Sequence, residues 1–211
     1  MIENKMFCFQ CQETAKGTGC TIKGVCGKEA ETSKWQDLLI SVVRGIGTIQ
    51  HALGGKPSKE VADYIVDSLF ATITNANFDD QSILNKVDAG LSLKKKLIEE
   101  ASNKNISLPD YQEVRWGGEK SDYSEEGIRE GVLRNENPDL RSLKELTILG
   151  LKGMSAYYDH ASRLDETNDE IIAFMCKVLS EISNPNADMD TLISLVLETG
   201  KYGVDAMALL D

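Results

Sequence analysis

Prolines are scarce in this chain: Pro57, Pro109, Pro138 and Pro185 are the only four, and each stands between segments of helical periodicity rather than inside one. Strand alternation is missing throughout, which excludes a sheet-based fold and leaves an all-α one. No run of 18 apolar residues occurs, and the start MIENKMFCFQC has no apolar stretch of signal-peptide type, so no membrane partner is expected and the expected location is cytoplasmic. Basic residues are outnumbered by acidic ones, 23 to 34. A formal net charge of -11 and a pI near 4.7 argue against nucleic acid and anionic lipid as partners. Phosphate-loop, G-x-S-x-G and H-E-x-x-H motifs are all missing, and no catalytic residue is assigned.

What remains is helical pattern. From Trp35 the apolar positions Leu38, Leu39, Val42, Val43, Ile46, Ile49 and Leu53 form a buried stripe that Gly54-Gly55 and Pro57 end, predicting a helix over 35–53. Ser58 caps a second helix expected to stop near Asn75 to Asn77, and Asp79 or Asp80 caps a third carrying Ile83 through Ile98. Residues 105–137 are polar and read as a long connection with a short helix near 125–133, its acidic run DYSEEGIREG being solvated surface. Three more helices follow Pro138, built on Leu140 to Met154, on Ile171 to Ile182, and on Leu192 to Leu210.

The two halves match each other at an offset of about 109 residues. LLISVVRGI (38–46) aligns with LTILGLKGM (146–154), KEVADYIVDSL (59–69) with DEIIAFMCKVL (169–179), and NANFD (75–79) with NPNAD (184–188). Agreement of glycine, cap and turn positions across three elements predicts an internal repeat. The expected organisation is a cysteine-rich loop over 1–30, a three-helix bundle over 31–104, the connection over 105–137, and a second three-helix bundle over 138–211.

Cysteine is sparse and concentrated. Four of the five fall in FCFQCQETAKGTGCTIKGVCGK (7–28) as Cys8, Cys11, Cys20 and Cys26, with the spacing C-x2-C-x8-C-x5-C. Such close spacing keeps loop closure cheap when four thiols converge on one centre. Thiolate-only donors point to zinc or an iron-sulfur cluster, and one close pair followed by two single cysteines favours the cluster without removing zinc. Gly17, Gly19, Gly24 and Gly27 free the backbone to wrap, while Lys16, Lys23 and Lys28 can offset thiolate charge.

The same stretch, followed by WQDLLISVVRGI, resembles the N-terminus of the hybrid-cluster proteins, also called prismane proteins or hydroxylamine reductases. The likeness continues through VRWGGEKSD, RSLKELTILGLKGMSAYYDHA and LVLETGKYGVDAMALLD. It implies a 4Fe-4S cluster on Cys8, Cys11, Cys20 and Cys26, and an N-terminal domain of two three-helix bundles. For the complete enzyme it implies reduction of hydroxylamine to ammonia, or of nitric oxide to nitrous oxide, under nitrosative stress. Family members are more than twice as long, and their hybrid cluster sits on residues of later domains that this chain lacks. The chain alone is therefore expected to be an electron-transfer domain rather than a catalyst, with a reductase or ferredoxin-like donor and the missing C-terminal domains as partners. The alternative is a zinc-stapled helical interaction module, and aerobic handling is expected to strip a cluster.

Other residues have plainer readings. Cys176 lies on an apolar helix face and is expected to fill core. His51 and His160 stand near helix C-termini and receive no site. Phe7 and Phe9 can shield the cluster or anchor the loop, and Trp35 and Trp116 are more simply core than cluster neighbours.

Overall fold

Side-chain oxygens open each of the long helices after the first, and this fixes where the chain turns. Of the chain, the computed structural model describes residues 6–11, 14–74 and 76–211. Among these the elements are α1 (Ala30–Leu53), α2 (Lys59–Ala71), α3 (Asp80–Asn103), the single-turn α4 (Gln112–Arg115), α5 (Tyr123–Arg129), α6 (Pro138–Ser162), α7 (Asp169–Ser183) and α8 (Met189–Ala208). The all-α expectation holds. Ser58 accepts from the Val61 N–H at 3.3 Å, Asp79 from Ser82 at 3.1 Å, and Asp188 from Thr191 at 2.8 Å. Asn137 and Asn168 do the same for α6 and α7.

Two boundaries of the long helices differ from the periodicity, and the short helix expected near 125–133 runs instead over Tyr123–Arg129. α1 begins five residues before Trp35, because Thr32, Ser33 and Lys34 are themselves buried against neighbouring segments. α2 ends at Ala71, where the Thr72 hydroxyl donates to the Leu69 carbonyl at 2.8 Å and closes the last turn. Asn75, where that helix was expected to stop, lies outside the described residues.

Packing crosses between the halves. α1 lies on α3 and equally on α7, while α6 lies on α8 and on α2, so that each half's middle helix finds its main partner in the other half. A side chain at Gly47 would come within 2.6 Å of Leu179, and one at Gly150 within 2.7 Å of Thr199, so missing Cβ atoms set these close approaches. One cluster of buried side chains runs from Leu38 in α1 to Ala206 in α8.

The connection over 105–137 is not the solvated segment expected of its acidic run. Glu113, Tyr123, Glu126 and Glu130 are all buried, with α4 and α5 held against α1. Glu113 and Glu130 are drawn in by Arg44, wholly buried in α1, whose guanidinium pairs with Glu113 at 2.9 Å and Glu130 at 2.6 Å. Burying three charges requires such pairing. No helix is long and apolar enough to cross a membrane among the described residues.

Candidate metal centre

The cysteine loop is organised by one short pairing. The Cys8 N–H donates to the Cys20 carbonyl at 3.0 Å and the Cys20 N–H to the Cys8 carbonyl at 2.7 Å, an antiparallel bridge that places both side chains on one face. Gly19 makes this possible, since at φ +138° it sits under the Phe7 ring, where a Cβ would come within 2.9 Å. Phe7 and Phe9 pack with their rings tilted at 49° and 5.5 Å between centroids.

Downstream, the Gly27 N–H donates to the Gly24 carbonyl at 2.9 Å, and the Gly24 N–H to the Lys28 carbonyl at 2.8 Å. This tight loop folds the Cys26 sulfur over Gly24, where an added Cβ would lie 3.1 Å from it. Cys20 is buried, Cys8 and Cys11 are partly buried, and Cys26 is exposed; all four are free thiols. Among the described residues, no three His, Cys, Asp or Glu side chains lie close enough to share a single metal ion. The structure thus pairs the backbones of Cys8 and Cys20, with Cys11 partly buried and Cys26 exposed on the same loop.

Of the three lysines expected to offset thiolate charge, the structure sets Lys28 against sulfur. Its ammonium is buried, 4.0 Å from the Cys8 Sγ, and donates to the Gln36 Oε1 of α1 at 2.7 Å. Gln36 in turn donates to the Asn77 carbonyl at 3.0 Å, locking loop, α1 and the α2–α3 turn together. Lys23 instead pairs with Glu29 at the surface, and Lys16 is exposed.

Behind Cys8 lies a second polar group. Lys152, buried in α6, donates to the Gln10 Oε1 at 3.3 Å and the Thr72 carbonyl at 3.1 Å. Cys8, Gln10, Asp37, Glu145 and Lys152 help line a cavity of about 20 Å³, room for about one water. Burial, aided by the Glu145 charge, pushes the Asp37 carboxyl up to about 8, although some of the residue's surface stays exposed. Burial also lowers the Lys152 ammonium to about 8 against the pull of Glu145 and Asp37, and raises the Glu145 carboxyl.

The Prismane/CO dehydrogenase family matches residues 6–211, nearly the whole chain. The chain belongs to that family. Among its relatives, a hydroxylamine reductase of Bacteroides thetaiotaomicron is 50% identical over 208 residues, covering 98% of this chain and 38% of its own length. One from Desulfitobacterium hafniense is 46% identical over 211 residues, with the same coverage. One from Nitratidesulfovibrio vulgaris is 43% identical over 215 residues, covering 98% of this chain and 39% of its own. The chain therefore spans less than two-fifths of the length of these Prismane-family relatives.

The remaining cysteine and histidines take plain roles within this family member. Cys176 is buried in α7, and burial pushes its thiol up to about 12, so it is core rather than ligand. His51 and His160 are exposed in the last turns of α1 and α6, His160 edge-on to Phe70 at 6.1 Å. Trp116 packs on Tyr123 at 5.8 Å, and the ammonium of Lys34 lies 4.3 Å from the Trp35 ring.

Sequence reasoning missed Asp37, Glu145 and Lys152. One signal was present: Lys152 and the buried Arg44 are the cations at matching places in the aligned runs LTILGLKGM and LLISVVRGI, each inside an apolar stripe.

Proposed function

We propose that Cys8, Cys11, Cys20 and Cys26 hold a 4Fe-4S cluster, and that the chain is the electron-relay segment of a hydroxylamine reductase. The observation that carries this is the opposed Cys8–Cys20 pair with the Lys28 ammonium buried beside the Cys8 sulfur. The donor set fits: four free thiols on one short loop, soft enough for iron, with a fixed cation to offset their charge. When bound, the cluster supplies one-electron exchange.

The chain's own residues then have distinct tasks. Gly19, Gly24 and Gly27 let the backbone turn closely around the thiols. The Lys28 ammonium beside the Cys8 sulfur offsets negative charge on a bound cluster, and Phe7 with Phe9 keeps water from that side. In the complete enzyme, hydroxylamine takes up two electrons and two protons to give ammonia and water, with the electrons entering through this segment from a reductase or ferredoxin-like donor. We assign this segment electron transfer and no catalytic residue for that step.

Anaerobic purification followed by iron, zinc and sulfide analysis and visible absorption tests the reading. Four irons and four sulfides per chain are expected. A colourless protein with one tightly held zinc overturns it in favour of a zinc-stapled module, and hydroxylamine turnover by the isolated chain overturns the relay role.

A further inference from the structure

Helix α8 is apolar over more of its circumference than one core contact needs. Leu192, Leu195 and Ala206 are buried, yet Ile193, Leu197, Val204 and Met207 stay exposed, Leu197 at 71%. An amphipathic helix on the edge of a core turns an apolar stripe of about 100° inward and polar residues outward. Here the apolar arc continues past the buried stripe and meets the outward face of α6, where Leu146 is 52% exposed. Between the two helices runs an open groove of about 430 Å³ with no charged residue in its lining. Its floor is bare because Gly150 and Gly153 of α6 face Gly200 and Gly203 of α8.

We propose that this groove seats an apolar helix face from the polypeptide by which the hydroxylamine reductases exceed this chain. The inference rests on the reading above that the chain works as a segment of a longer enzyme, and it names the surface through which it does so. Hydroxylamine reductases that are 46–50% identical to it match it over only 38% of their own length. A glycine-floored groove admits the close approach of a helix anchored at three- and four-residue spacing. The lining has the composition of a permanent interface rather than of a transient, charge-steered one. A second copy suits it poorly, because two chains of net charge -11 repel.

Hydroxyl-radical footprinting compares the isolated chain with the intact Bacteroides thetaiotaomicron enzyme, each rate being normalised to the unfolded protein. Leu146, Tyr157 and Met207 are expected to label freely in the isolated chain, and the aligned positions of the long enzyme at least tenfold more slowly. Equal rates overturn the proposal. Slow labelling in an isolated chain that sediments as a dimer overturns it in favour of a second copy. Gly153→Leu adds a second check, since a Cβ there meets nothing within 4 Å. In a chimaera carrying this chain in place of the matched 208 residues, the substitution is expected to restore fast labelling while leaving the isolated chain's Tm unchanged. Iron content reads the relay function separately: a protected groove in an iron-free protein keeps the docking surface and removes the relay, and an unprotected groove in an iron-loaded one does the reverse.

Discussion

The Lys28 ammonium lies 4.0 Å from the Cys8 sulfur while it donates to Gln36 at 2.7 Å, so a buried cation is pinned between a candidate ligand and the first long helix. Lys28→Met removes that charge without removing a thiol. Cluster loading is expected to persist, and the reduction potential to fall, because a nearby positive charge favours the more negative reduced form. The unpaired Gln36 oxygen adds a stability loss of about 1–3 kcal/mol. A redox titration followed by visible absorption, with urea unfolding, checks both; an unchanged potential overturns the electrostatic role.

Cys176 and Cys26 mark the extremes of thiol exposure. On metal-free, reduced chain, a thiol reagent is expected to modify exposed Cys26 first and to reach Cys176 only on unfolding, since burial holds that thiol near 12. Mass spectrometry of the labelled peptides reads the order. Cys20→Ser is expected to lower bound iron sharply with helical circular dichroism retained, whereas Cys176→Ser leaves iron unchanged.

Asp37 predicts a pH dependence with a definite sign. Its folded-state value near 8 stands above the unfolded carboxylate's, so the native state holds the extra proton and stability falls as pH rises from about 4 to about 8. Lys152, lowered to about 8, acts oppositely above that, where the unfolded chain binds the extra proton and stability recovers towards pH 10.5. Asp37→Asn is expected to flatten the lower window, by at most about 1.4 kcal/mol per pH unit, the value for one proton. Urea midpoints of metal-free protein between pH 5 and 8 test it, and an unchanged slope would refute the assignment.

Arg44 ties the connection to the core. Arg44→Met removes the ion-pair partner of buried Glu113 and leaves buried Glu130 with only the longer Arg134 contact at 3.5 Å, and a loss of about 3–5 kcal/mol is expected. The same variant is expected to raise proteolytic cleavage within 105–137, because the ion pairs hold α4 and α5 on α1. A loss below about 1 kcal/mol would show that those pairs are replaceable by water.

Helix positions were legible because caps and apolar spacing are local signals: Ser58 and Asp79 announced their helices and capped them. Cysteine spacing likewise exposed the candidate ligands without any tertiary information. What spacing does not encode is which charged side chains leave the surface. Glu113, Glu126 and Glu130 look like solvated residues in a polar segment, and only a guanidinium 86 positions from Glu130 draws it inward. Lys152 reaches Gln10 across 142 residues. Such pairings depend on how α1 meets the connection and how α6 meets the N-terminal loop, and neighbouring sequence does not record them.

The crossing of α7 onto α1 and of α2 onto α6 has a consequence at the ribosome. When the first 104 residues have emerged, α1 and α2 still wait for surfaces that synthesis has not reached, so their apolar flanks face the exit-tunnel environment uncovered. Delivery of α6 and α7 then completes both sets of contacts within a short stretch of translation. Chaperone capture of nascent chains is therefore expected to peak before α6 appears and to end with α7.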